Sequence, residues 1–190
     1  MYRFLARTTG PLVRAVFRLR AQGLERLPEG GFVLAANHAS NLDPWPLGLP
    51  LYPGRWLRFM AKSELYWWPL TLVLDGAGAF KVRRGAGDTE AVARAVELVR
   101  AGEIVVMFPE GTRQKKGVRK KWQARPHTGA ARIAQLAGVP LVPAAITGTD
   151  RLARLAPWKV AYGEPFDPGD DAQEATDRLM REIEALRETL

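Results

Sequence analysis

The chain has 190 residues, a formal net charge of +8, no cysteine and two histidines, His38 and His127. That composition excludes disulfides, thiolate metal sites and a cysteine nucleophile, and it argues against a multi-histidine metal centre. The length fits one domain with a core of its own, and the basic balance favours an anionic partner: a phosphorylated small molecule, an anionic membrane surface or nucleic acid.

Residues 1–20 interleave Arg3, Arg7, Arg14, Arg18 and Arg20 with Tyr2, Phe4, Leu5, Leu12, Val13, Val16, Phe17 and Leu19, with no acidic residue among them. This predicts an amphipathic helix, continuous or broken at Gly10-Pro11. Its apolar face has two readings, lying in a membrane interface or packing on its own domain with the arginines solvated. No basic stretch precedes an apolar block, so the segment does not read as a signal peptide. No apolar run approaches the roughly 18 residues of a membrane-crossing helix. A strand, a turn at Pro28-Glu29-Gly30-Gly31 and the apolar run Phe32 to Ala36 follow. That run predicts a buried strand leading into a loop at His38.

Pro44 and Pro46 suit the first turn of a helix, where a missing N–H costs nothing. Trp56 to Ala61 reads as a strand, 63–75 as an apolar, aromatic stretch around Trp67-Trp68-Pro69, and Phe80 to Val82 as a short strand ending in Arg83-Arg84-Gly85. Asp88 is a good N-cap for a helix over Thr89 to Arg100, with Val92, Ala95, Val96 and Val99 on one face and Gly102 as its end. Ile104 to Phe108 is a buried-type strand, 113–125 a basic loop, and Thr128 to Ala137 a small-residue helix closed by Gly138. Leu141 to Thr147 and Lys159 to Gly163 are two more strands, and 170–189 is an amphipathic helix of mixed charge. The alternation predicts an α/β fold, a single layer of mostly parallel sheet flanked by helices. Residues 1–22 form the basic N-terminal segment and 23–190 the domain behind it. Ligands of such sheets lie beyond the carboxyl ends of the strands, where both His38 and Glu110 are expected.

Two motifs about seventy residues apart carry the chemistry, Asn37-His38-Ala39-Ser40-Asn41-Leu42-Asp43 and Phe108-Pro109-Glu110-Gly111-Thr112-Arg113. Histidine titrates near operating pH and can take a proton from a hydroxyl. Asp43, five residues on, can fold back to hold one imidazole nitrogen and leave the other facing substrate. Alternatively Asn37 and Asp43 are turn and cap residues beside a bystander His38. Ser40 sits in the same turn and no Gly-x-Ser-x-Gly elbow appears, so the simpler scheme lets the substrate hydroxyl be the nucleophile. In the second motif the backbone N–H groups of a tight turn and the Arg113 guanidinium form a seat for phosphate. Arg84 is either a second phosphate ligand or a solvated strand-end arginine. Arg113, Lys115, Lys116, Arg119, Lys120, Lys121 and Arg125 crowd one loop around Trp122, as a solvated loop or as a recruiter of anions.

With these residues in view, the chain resembles the glycerolipid acyltransferases, in particular the 1-acylglycerol-3-phosphate O-acyltransferase group. Four blocks match in order: Asn37-His38-(x4)-Asp43-Pro44; Gly78-Ala79-Phe80-(x)-Val82-(x)-Arg84; Phe108 to Arg113; and Val139-Pro140-Leu141-Val142-Pro143-Ala144-Ala145-Ile146. They span about Gly23 to Gly163. The resemblance implies that His38 is the general base and Asp43 its orienter. It places Arg84, Glu110, Gly111, Thr112 and Arg113 in acceptor binding, and Pro143 toward the acyl-donor side. It implies an acyl-CoA or acyl carrier protein donor, lysophosphatidic acid as acceptor, no cofactor and no metal. Another lysophospholipid or a lyso-aminolipid is the alternative acceptor. The expected place is the cytoplasmic face of a membrane, held peripherally. The chain departs from the family pattern at Lys81, Arg83, Gln114 and His127. A non-catalytic membrane-surface module is the rival of another class, while nucleic acid, suggested by basicity alone, is not expected as a partner.

Overall fold

The computed structural model describes residues 2–82, 89–111 and 126–190. Their strands are β1 (Arg20–Gln22), β2 (Phe32–Ala36), β3 (Leu57–Lys62), β4 (Ala79–Val82), β5 (Ile104–Met107), β6 (Leu141–Thr147) and β7 (Lys159–Tyr162). The helices are α1 (Tyr2–Val16), α2 (Pro44–Gly48), α3 (Leu70–Gly76), α4 (Thr89–Arg100), α5 (Gly129–Ala137) and α6 (Ala172–Glu188). The strands form one sheet in the order β1-β7-β6-β2-β5-β3-β4. From β6 across to β4 every neighbouring pair is parallel. β7 pairs antiparallel with β6, and β1 parallel with β7. The expected mostly parallel α/β sheet is therefore what the chain forms.

The central strands are continuous apolar runs because helices cover both faces of the sheet. Alternate side chains of β2 serve opposite cores. Phe32, Leu34 and Ala36 join Leu47 of α2, with Val106, Ile146 and Tyr162. Val33 and Ala35 join α4, α5 and α6 through Ala95, Val99, Ala130, Ile133 and Leu179. The small residues of α5 let it pack closely between α4 and α6. Asp171 caps α6 by accepting from the N–H groups of Gln173 (2.7 Å) and Glu174 (3.1 Å).

The N-terminal helix runs unbroken through Gly10-Pro11. Pro11 lies on its exposed side, and Gly10 is pressed against the Leu49 side chain. Arg14 donates to the Leu49 carbonyl (2.6 Å), and Phe17 stacks on Trp158 with ring centroids 4.1 Å apart. These anchors on both sides of Pro11 offset the one helical hydrogen bond that proline removes. One face of α1 is thus packed on the domain, while Leu12 is 65% exposed and Val16 38%.

Parallel pairing makes β2, β3, β4, β5 and β6 end at one edge of the sheet. β7 and β1 begin there, since Lys159 pairs with Thr147 and Arg20 with Lys159. The strand bounds differ from expectation by a residue or so. The clearest case is Phe108, which leaves the β5 ladder to pack on His38. Asp88, the expected cap of α4, lies outside the described residues.

Candidate active site

Main-chain pairing of β2 with β6 reaches Ala36 opposite Ala144. Asn37 then continues the match with its side chain: its amide donates to the Ile146 carbonyl (3.0 Å) and its Oδ1 accepts from the Ile146 N–H (2.8 Å). This clamp releases the backbone into a turn and holds the next residue, His38, just past the strand end.

Asp43 organises that turn. It has no exposed surface. Its Oδ2 accepts from His38 Nδ1 (2.8 Å), the Ala39 N–H (2.7 Å) and the Ser40 N–H (2.9 Å), and its Oδ1 accepts from the Thr149 hydroxyl (2.6 Å). Buried charge is tolerated when hydrogen-bonded in this way. A carboxylate partner assigns the proton to Nδ1, so the lone pair of Nε2 is free for a substrate proton. The imidazole is 18% exposed and stacks on Phe108 at a centroid distance of 4.2 Å. Both ring position and tautomer are thereby set before any ligand arrives. Ser40 closes the turn by accepting from the Leu42 N–H at its Oγ (3.3 Å).

The second turn follows β5. The Gly111 N–H donates to the Phe108 carbonyl (3.0 Å), and the His127 N–H donates to the Pro109 carbonyl (2.8 Å). Gly111 has φ +67°, and a Cβ there would lie 2.4 Å from His127 Cδ2 and 2.5 Å from Nε2. Glycine is needed at this position both for its conformation and for the imidazole laid across it. Glu110 is partly buried. Burial pushes its carboxyl above the ordinary glutamate value; the main-chain N–H and ring of His38, and Arg187, act in the opposite direction, while Asp43 adds to the rise. Its Oε2 is buried and, among the described residues, has no hydrogen-bond partner.

His38, Asp43, Glu110 and Gly111 are therefore brought together at one sheet edge, as the strand-end rule anticipates. Arg84, Thr112, Arg113 and the basic loop to Arg125 lie outside the described residues. The sequence reading missed Thr149 and the clamping role of Asn37. Thr149 carries one sequence signal, a small polar residue just past a predicted strand end. Assigning it to Asp43 requires knowing that β6 lies beside β2.

The arrangement is a fixed imidazole base on a buried carboxylate, suited to activating a substrate hydroxyl. Residues 18–147 match the family described as Acyltransferase, and the chain belongs to that family. It is 32% identical over 198 residues to the 1-acyl-sn-glycerol-3-phosphate acyltransferase of Bacillus subtilis, spanning 100% of this chain and 95% of that protein. It is also 32% identical over 141 residues to the chloroplastic 1-acyl-sn-glycerol-3-phosphate acyltransferase BAT2 of Brassica napus, covering 72% of this chain and 39% of the plant protein. The fold resembles the crystal structure of the 1-acyl-sn-glycerophosphate (LPA) acyltransferase PlsC from Thermotoga maritima, with TM-score 0.69 and 26% identity over 97% of this chain and 80% of that one.

Proposed function

We propose that this enzyme transfers a fatty acyl chain from an acyl thioester, acyl-CoA or acyl carrier protein, to the sn-2 hydroxyl of 1-acylglycerol-3-phosphate, giving phosphatidic acid. The observation that carries the reading is the His38–Asp43 pair, with Asp43 fully buried and four-fold hydrogen-bonded. The names of the similar proteins support the acceptor. His38 Nε2 takes the hydroxyl proton as that oxygen attacks the thioester carbonyl. The C–O bond forms, the C–S bond breaks, and the proton passes from His38 to the departing thiolate. Acceptor phosphate falls to Arg84 and Arg113, with Thr112; the Gly111 N–H already donates to the Phe108 carbonyl and shapes the turn instead. Glu110 is itself anionic and suits a hydroxyl or a cation rather than the phosphate.

The enzyme works peripherally, on the cytoplasmic face of a membrane, with residues 1–22 as one contact. Among the described residues no helix is long and apolar enough to cross a membrane. Trp67, Trp68, Leu72, Leu152 and Leu155 are all exposed large apolar side chains. Trp67 and Trp68 follow the end of β3, and Leu152 and Leu155 lie between the end of β6 and the start of β7, so these four belong to the same edge as His38. Tryptophans at such an edge suit the headgroup level of a bilayer.

The test is product formation from labelled acyl-CoA, or from acyl carrier protein, with lysophosphatidic acid on anionic vesicles. Wild type should make phosphatidic acid with at least one donor, and His38→Ala should not. Absence of product with both donors would reject the proposed reaction. Equal use of a phosphate-free acceptor would move the substrate to the lyso-aminolipids.

A further inference from the structure

We infer that Thr149 is a positioning residue for the catalytic base, holding the carboxylate that holds His38. The hydroxyl of Thr149 lies 2.6 Å from Asp43 Oδ1, across 106 residues of chain. Thr149 is 1% exposed and Asp43 has no exposed surface, so bulk water does not compete for this contact. The two carboxylate oxygens are served unequally. Oδ2 has three donors from the turn itself, whereas among the described residues Oδ1 has Thr149 alone. Donors on one oxygen leave the carboxylate free to pivot about it, and a donor on the other oxygen fixes the plane. That plane sets the direction of the bond to His38 Nδ1, and with it the direction of Nε2.

The backbone is shaped to deliver this hydroxyl. Gly148, the preceding residue, has φ +91°, and a Cβ there would stand 2.1 Å from the Pro157 carbonyl oxygen. Only glycine makes that bend without strain, and the bend turns the chain from β6 into the short 3-10 helix that Thr149 opens. The Asn37 amide on Ile146 pins the same stretch three residues earlier. The end of β6 is thus fastened to the turn that carries the base at two points, one of which reaches the orienting carboxylate.

The experiment compares Thr149→Val, which keeps shape and removes the donor, with Thr149→Ser, which keeps the donor. Thr149→Cys, a weak donor, gives a second comparison if the valine variant does not fold. Imidazole 1H–15N NMR is read on the unliganded protein, where two histidines make assignment simple. Wild type and Thr149→Ser should show the Nδ1-protonated form of His38, and Thr149→Val a loss of that downfield proton with mixed tautomers. In the acyl-transfer assay, Thr149→Val should lose about 10- to 100-fold in kcat while KM for donor and acceptor stays within roughly twofold, and serine should restore most of the rate. An unchanged tautomer and kcat in Thr149→Val overturns the inference. So does a loss that serine does not restore, or one that follows Tm alone with the His38 signal intact. The kinetic arm rests on the proposed reaction and the NMR arm does not, so a wild type without activity would reject the reaction while the spectra still decide the role of Thr149.

Discussion

The turn after β2 and the turn after β5 stand side by side at one sheet edge and are built on opposite terms. In the first, each donor aimed at Asp43 has an acceptor and the carboxylate is satisfied on both oxygens. In the second, shape comes from Pro109 and the positive φ of Gly111, and the Glu110 carboxylate keeps a buried oxygen that has no partner among the described residues. A satisfied buried network is rigid, whereas an unsatisfied one costs stability until something pairs with it. The His38–Asp43 pair, the proposed base and its orienter, is therefore held in place without a ligand. The glutamate turn holds hydrogen-bonding capacity in reserve among the described residues, which suits the proposed acceptor side.

The first half of this contrast is tested hardest at His38 and Asp43. His38→Ala should cut kcat by about 10²- to 10⁴-fold while the protein stays folded, read as turnover beside a thermal melt. Near-normal turnover would remove the base from the mechanism. Asp43→Asn should be nearly as severe and should also unsettle the fold. The site offers Asp43 only donors, so an amide N–H must face another N–H or O–H. The expected loss is about 10²- to 10⁴-fold in kcat and roughly 1–3 kcal/mol in stability, read by urea titration. Normal stability in Asp43→Asn would mean the turn is less committed than its hydrogen bonds indicate.

On the other side, Gly111→Ala should act through shape. The new methyl meets the His127 ring and the residue must hold a left-handed backbone. A loss of about 1–3 kcal/mol is expected, with kcat/KM for the phosphorylated acceptor falling further than kcat. If kcat and KM for that acceptor are untouched, the turn is only structural.

How much of this was legible in the chain follows from what each feature depends on. β2, β5 and β6 were readable because a strand covered on both faces must be apolar throughout, and α4 because its apolar spacing survives between solvated positions. His38 and Asp43 were readable because their pairing is local, five residues apart. Pro11 left a continuous and a broken helix both open, because local propensity favours a break there. The anchors that override it, Leu49 and Trp158, come from distant parts of the chain. Thr149 was hidden for the same reason, since its partner is set by strand order, which no periodicity encodes. The parallel or antiparallel sense of β7 was equally unreadable from its four apolar-rich residues. Arg84, Thr112 and Arg113 remain assigned by family resemblance.

The smallest expected effect is the most discriminating. Burial raises the Glu110 carboxyl above its ordinary value, so the folded protein binds that proton more readily than the unfolded chain. Between the ordinary glutamate range and the raised value, folding takes up protons and stability declines as pH rises. Above that window the cost of the buried charge is fully present. Glu110→Gln removes the charge and should raise Tm slightly at neutral pH, with the advantage shrinking as pH falls through that window and gone below the ordinary glutamate range. The same variant should lose roughly tenfold in kcat/KM if the unpaired oxygen is kept for the acceptor hydroxyl or a cation. A more stable and less active protein is the signature of a group retained for binding at a cost to the fold. A more stable protein with full activity would leave Glu110 as a buried charge with no part in binding, and the two turns would no longer differ in purpose.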